Sequence, residues 1–245
     1  DNQGGESSKE VRFSKYTDDD KVVVNIDLTD SGGAGLPSQQ YLALGSGFVV
    51  KYSVGVGTAG GGTVDGYSDL KARVIVKRGS TVISEFQDAE FVGVTAGQSY
   101  TFDASPYLKD ATAYTVQVEA QATYQGGTLI KTATAKVTMV AMTLETTYSV
   151  GNGLADGGYR NDVNIPFTAK GTSGEKNIYY RVNGSQAFTL GLSAGSGVQQ
   201  KNVTIPLTQM QEGTNVVEAY AQHENSGVVS RVHYITLLLS LIHIS

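Results

Sequence analysis

Apolar and polar residues alternate along most of this chain, in short runs broken by glycine. A period of two is the mark of a strand with one buried face. "KVVVNIDL" (Lys21–Leu28) reads as such a strand, rich in β-branched residues. "YLALGSGFVVKYSVGV" (Tyr41–Val56) reads as one longer strand region with Phe48, Val50 and Tyr52 on one face, and Gly57–Gly66 as a loop. "LKARVIVKRGSTVISEF" (Leu70–Phe86) predicts a hairpin about Arg78-Gly79-Ser80, where Gly79 supplies a positive φ. A short strand, Tyr100–Leu108, closes on Pro106. In "YTVQVEAQATY" (Tyr114–Tyr124), Val116, Val118, Ala120 and Ala122 alternate with polar residues, and Gln125-Gly126-Gly127 turns the chain into Thr128–Val140. No helical period appears in this half.

The second half follows the same plan. Thr143–Val150 opens it and Asp162–Lys170 follows. Asn177–Leu190 predicts a hairpin with its turn at Asn183-Gly184, a strong two-residue turn signal. Lys201–Leu207 leads to Asn215–His223, and Val228–Leu237 reads as the last strand.

Three features recur in order about a hundred residues apart. Pro106 answers to Pro206, Val118-Glu119-Ala120 to Val217-Glu218-Ala219, and Gly79-Ser80 to Gly184-Ser185. The expected fold is all-β: two tandem immunoglobulin-like β-sandwich domains, residues 16–141 and 142–238, after a polar lead-in at 1–15. In "DATAYTV" (Asp110–Val116), Tyr114 stands four residues after Asp110, the spacing of the tyrosine corner of such sandwiches. The second half has "EGTNVV" there, without the tyrosine.

Composition sharpens this picture. The chain has 245 residues, 30 of them glycine, 14 tyrosine and 4 proline, with no tryptophan. There is no cysteine, which excludes disulfides and thiolate metal sites. A formal net charge of -5 with no cluster of Lys and Arg argues against nucleic acid as a partner. A membrane span needs about twenty apolar residues, and no run approaches that.

Few motifs point to chemistry. "GVGTAG" (Gly55–Gly60) has the spelling of a dinucleotide loop, but more glycines follow and no helix can start to receive a pyrophosphate, so an inter-strand loop is expected. Asp18–Asp20 and "DGGYRND" (Asp156–Asp162) lack the spacing of a calcium loop and read as solvated turns. His223 and His233 have no carboxylate at ligand spacing. No nucleophile signature is present, and Glu119 and Glu218, in equivalent strand positions, read as structural. The chain is expected to be no enzyme and to need no cofactor and no metal. Most tyrosines are expected to pack sheets, while Tyr159, Tyr179 and Tyr180 are candidate ligand contacts; strand alternation turns one of the neighbours Tyr179 and Tyr180 inward and the other outward.

The last residues, "LSLIHIS" (Leu239–Ser245), resemble the translation of a transposase adapter used in sequencing libraries. Residues 239–245 are therefore expected to be non-native and the chain a metagenomic fragment. The segments "VIVKRGSTVISEF", "SPYLKDATAYTVQVEAQAT", "LADGGYRNDVNIPFTAKG" and "EGTNVVEAYAQHENSGVVS" resemble tandem immunoglobulin-like modules in structural proteins of tailed phages of gut Bacteroidota, including the crAss-like group. The resemblance spans Lys21 to Leu238. It implies a structural and adhesive spacer in a virion appendage or tail fibre, with a receptor- or glycan-binding domain further along. The implied partners are other virion proteins or a cell-surface glycan, and the implied state includes homo-oligomers. The alternative is a surface lipoprotein or adhesin on the outside of a Bacteroidota cell, because "DNQGGESS" resembles the polar stretch that follows a lipidated cysteine.

Overall fold

The computed structural model describes residues 18–148, 162–184, 187–195 and 197–239. Before the junction come β1 (Val22–Thr29), β2 (Gln40–Ala43), β3 (Val49–Thr58), β4 (Tyr67–Arg78), β5 (Thr81–Val82), β6 (Val92–Gly93), β7 (Ser99–Asp103), β8 (Ala113–Tyr124) and β9 (Gly127–Val140). After it come β10 (Met142–Thr146), β11 (Val163–Gly171), β12 (Lys176–Val182), β13 (Thr189–Gly195), β14 (Gln199–Ile205), β15 (Gly213–His223) and β16 (His233–Leu239).

They make two sandwiches. In the first, a β1-β3-β7 sheet faces a sheet ordered β2-β9-β8-β4-β5, with β6 also on β4. In the second, β10-β11-β14 faces β13-β12-β15-β16. β1, β3 and β7 pack on β4, β8 and β9 as β10, β11 and β14 pack on β12, β15 and β16, which is the immunoglobulin-like arrangement. Among the described residues every ladder is antiparallel except β2 on β9, where Gln40–Ala43 runs parallel to Val137–Val140.

Alternation sets which residues fill each core. Val116, Val118, Ala120 and Ala122 of β8 are all buried, as are Phe48, Val50 and Tyr52. The second core gathers Ile165, Phe167, Ile178, Val203 and Leu237. Phe167 is fully buried, and truncating such a ring to alanine costs about 3–5 kcal/mol. Pro166 sits in a central strand without breaking it. Its carbonyl accepts from Thr146 Oγ1, so its missing N–H faces β10, which ends at Thr146 opposite Phe167.

Five sequence expectations change. The region 41–56 is two strands in different sheets, because Gly45, at φ +91, turns the chain between them. The second arm of the Gly79 hairpin is only Thr81–Val82, followed by a short 3-10 turn at Ser84–Phe86. Gln125 and Gly126 (φ 49 and 77) close a two-residue hairpin, with Tyr124 paired to Gly127. Asn183 and Gly184 adopt the same left-handed conformations (φ 55 and 64), yet β13 joins β12 only from Thr189 opposite Tyr180. The reason is that Asn183 is tied to β15: it donates to and accepts from Val216, and its Nδ2 donates to Asn215 Oδ1. Finally, the last strand begins at His233, since Val229 makes only an isolated bridge to Gln222. It runs to Leu239, which pairs with Gly213 and is buried, so the first residue of the closing stub belongs to the sheet.

One residue, Ala141, separates β9 from β10. Its N–H donates to Thr172 Oγ1 at 3.1 Å, and its carbonyl accepts from Thr172 N–H at 3.0 Å. Gly171 (φ +132) passes so close that a Cβ there would lie 1.9 Å from the Ala141 oxygen, so only glycine fits. Beside the junction Leu44 N–H donates to the Val140 carbonyl, and across it the Tyr41 ring stands 6.1 Å from that of His223.

Candidate functional site

The outer face of the β13-β12-β15-β16 sheet collects aromatic and charged groups because β12, β15 and β16 put successive residues on opposite faces. Tyr179 and Tyr220 stand opposite each other in register and stack at 5.3 Å between centroids. In the next outward row, Arg181 pairs with Glu218, and Glu218 with Tyr234 of β16. Phe188 meets Tyr220 edge-on at 4.8 Å, and the Arg181 guanidinium lies 4.5 Å above the Phe188 ring. Arg181 Nε donates to Glu218 Oε2, and that bond raises the arginine's pKa further above its ordinary value. Tyr234 is 64% exposed and offers its ring and hydroxyl to solvent.

The first module builds the same corner and then covers it. Arg73 and Glu119 are register partners joined at 2.6 Å and 2.7 Å, and Arg73 lies 4.5 Å above Phe91. Arg73 Nη1 also donates to the carbonyl of Ala89. Lys77 Nζ donates to Gln117 Oε1 and Gln117 Nε2 to Glu119 Oε1, so one polar row crosses the face. Ile75 and Gln117 on this face are buried although they point away from the core. The second module carries tyrosines at this place, and they remain partly open.

Of the three tyrosines singled out by sequence, Tyr179 lies on this face, half-buried against Tyr220. Tyr180 points the other way and is 7% exposed in the core, which withdraws it from contact with a ligand. Tyr159 lies outside the described residues. Tyr220 and Tyr234 were missed. Their signal was available, since both fall on the outward parity of their strands, but it needs the register to β12 to emerge.

The other motifs resolve locally. Gly55–Thr58 of "GVGTAG" is the end of β3, and a Cβ on Gly57 would lie 2.8 Å from the Gly62 carbonyl as the chain turns back. Asp18–Asp20 forms a 3-10 turn whose Asp19 carbonyl accepts from Gly60 N–H. His223 is buried, its Nε2 3.1 Å from the Ser173 carbonyl and its Nδ1 3.0 Å from Ser226 Oγ. His233 pairs with Ala219, not with His223. Among the described residues no group of three or more His, Cys, Asp or Glu is placed to hold a metal ion. No helix among them is long and apolar enough to cross a membrane.

No family model and no curated protein matches the chain. Among solved structures, the three N-terminal domains of the highly immunogenic outer capsid protein of bacteriophage RB49 match over 90% of this chain and 71% of that one, at 14% identity and a TM-score of 0.42. A tetra-tandem repeat from the extending region of a large adhesion protein matches over 89% of this chain and 50% of that one, at 13% identity and a TM-score of 0.39. A bacterial ice-binding adhesin of 1.5 MDa matches over 89% of this chain and 64% of that one, at 12% identity and a TM-score of 0.34. At these values the comparisons place the chain in no family and assign it no function.

Proposed function

We propose that residues 16–141 and 142–238 are two modules of a non-enzymatic structural and adhesive spacer, part of a phage tail or appendage protein exposed on the virion. The junction carries this reading. A single residue separates the last strand of one sandwich from the first strand of the next, and Thr172 bonds both backbone groups of that residue. A linker of this kind transmits position from one module to the next, whereas a glycine-serine linker would let the modules drift. The carboxylates with the best-defined surroundings, Glu119 and Glu218, are engaged by arginines, which suits a scaffold and not acid–base chemistry.

The adhesive part rests on the open face of the second module. Tyr179, Tyr220 and Tyr234 offer ring surface and hydroxyls with little conformational freedom to lose, a surface suited to a cell-surface glycan or to another virion protein. The test is gold-labelled antibody raised against the chain, applied to viral and cellular fractions of the source community. Label on the appendages of tailed particles supports the reading. Label confined to bacterial envelopes overturns it in favour of a cell-surface adhesin.

A further inference from the structure

The first and last strands of each module face one another across an open seam. In the first module a groove of about 490 Å³ lies between the start of β1 and the start of β9, lined by Val22, Val24, Leu129 and Ile130 together with Lys21 and Lys131. In the second module a groove of about 350 Å³ occupies the same place, between β10 and the residues entering β16, and includes Met142, Leu144, Arg231 and Val232. Two modules that share few side chains leave the same seam open.

Its wall is an unpaired strand edge. β9 pairs with β8 from Gly127 to Thr138, but on its other side β2 covers only Val137–Val140. Among the described residues, Gly127–Lys136 has no ladder partner on that side, and β1 pairs only with β3. Such an edge presents alternating N–H and C=O groups that another backbone matches best. β2 is the precedent within the chain: a short strand already docked in parallel on this edge. Ile130, on the open stretch, is 67% exposed.

The rim is cationic although the chain carries a net charge of -5. Lys21 and Lys131 make no ion pair among the described residues. In the second seam Glu145 is held by Lys170, and among the described residues Arg231 makes no ion pair.

We propose that this seam receives an extended, acidic strand from a partner protein. The strand continues the row begun by β2 and bonds to the free edge of β9. Its apolar residues settle on the partly open Val22 and Leu129, and its carboxylates face Lys21 and Lys131. This assignment is independent of what the tyrosine face binds.

The probe is a blocked peptide, Val-Glu-Val-Thr-Val-Glu-Val, titrated at millimolar concentration into the whole nitrogen-15-labelled chain. The expected result is amide shifts and slowed hydrogen exchange at Thr128–Lys131, with shifts at Val22–Asn25. The peptide with lysine in place of glutamate binds more weakly. Lys131→Glu, at an exposed position, weakens the acidic peptide by about threefold, the scale of one surface ion pair. Shifts centred elsewhere, no shifts at all, or equal binding of the two peptides overturn the proposal. A concentration-dependent dimer that protects the same amides also overturns it, by giving the seam to a second copy of this chain.

Discussion

Glu119 and Glu218 hold the same place in the two modules. Each accepts from the arginine opposite it on the neighbouring strand, Arg73 or Arg181, and each arginine stands 4.5 Å over a phenylalanine, Phe91 or Phe188. The repeat is therefore one of interactions as well as of letters. A glycoside hydrolase needs two carboxylates flanking one bond in a cleft. These two sit in separate sandwiches, each engaged by its own cation.

The Arg73–Glu119 pair is partly shielded, with side chains 32% and 18% exposed. A double-mutant cycle with Arg73→Met and Glu119→Gln, read by urea denaturation, is expected to give a coupling of about 1 kcal/mol, the upper end for pairs near the surface. A coupling indistinguishable from zero would remove the pair from the account of stability.

The corner that opens β8 in the first module and β15 in the second is built twice with different chemistry. In the first module Asp110 N–H donates to Tyr114 Oη at 3.0 Å. In the second, Asn215 is fully buried and spans the same four-residue interval. Its Oδ1 accepts from Gln211 N–H and Asn183 Nδ2, and its Nδ2 donates to the carbonyls of Gln211 and Gly213. Tyr114→Phe is expected to cost about 1 kcal/mol, and Asn215→Ala about 1–3 kcal/mol because several buried groups lose their partner. Thermal unfolding of the two variants checks the order; a larger loss for Tyr114→Phe contradicts it.

These corners show how far the sequence could be read. The Asp110–Tyr114 spacing was legible because the contact is local and its geometry is common to many sandwiches. The Asn215 corner was not, since no spacing rule says that a buried asparagine will make four hydrogen bonds to three residues, one of them in a turn 32 residues earlier. The same holds for strand ends. The alternation of Val116 to Ala122 marked β8 correctly, but the break at Gly45 depends on which sheet each flanking strand joins. The candidate face was half legible: alternation separates Tyr179 from Tyr180, but only cross-strand register brings Tyr220 and Tyr234 beside it.

Acid should weaken one strand end in particular. Asp103 Oδ1 accepts from both the N–H and the hydroxyl of Ser105, and these bonds hold its carboxyl below the ordinary aspartate value. Ser105 Oγ in turn accepts from Phe48 N–H, which ties the end of β7 to the start of β3. A lowered folded-state pKa adds stability that is complete above about pH 4 and is lost as pH falls through the folded value. Asp103→Asn is expected to flatten this limb, so that variant and parent converge at low pH. Unfolding midpoints measured down the acid range check it, and parallel curves would contradict it.

If the open face of the second module is adhesive, its tyrosines will matter for binding and little for folding. Tyr234→Ala is expected to reduce retention on a glycan array by at least about fivefold, within the range of an exposed aromatic anchor, with an unchanged melting temperature. Tyr180→Ala should do the reverse: lower stability by opening the core. Loss of binding only in variants that also unfold would place the tyrosines in the scaffold alone.

The central claim is that the junction at Ala141 fixes one module against the other. Residual dipolar couplings from backbone amides of both modules test it most directly. The account predicts that both sets fit one alignment tensor, and that Gly171→Ala, which drives a Cβ into the Ala141 carbonyl, splits them into two. Two unequal tensors in the parent chain would contradict it, because the modules would then move independently and could not act as a stiff spacer.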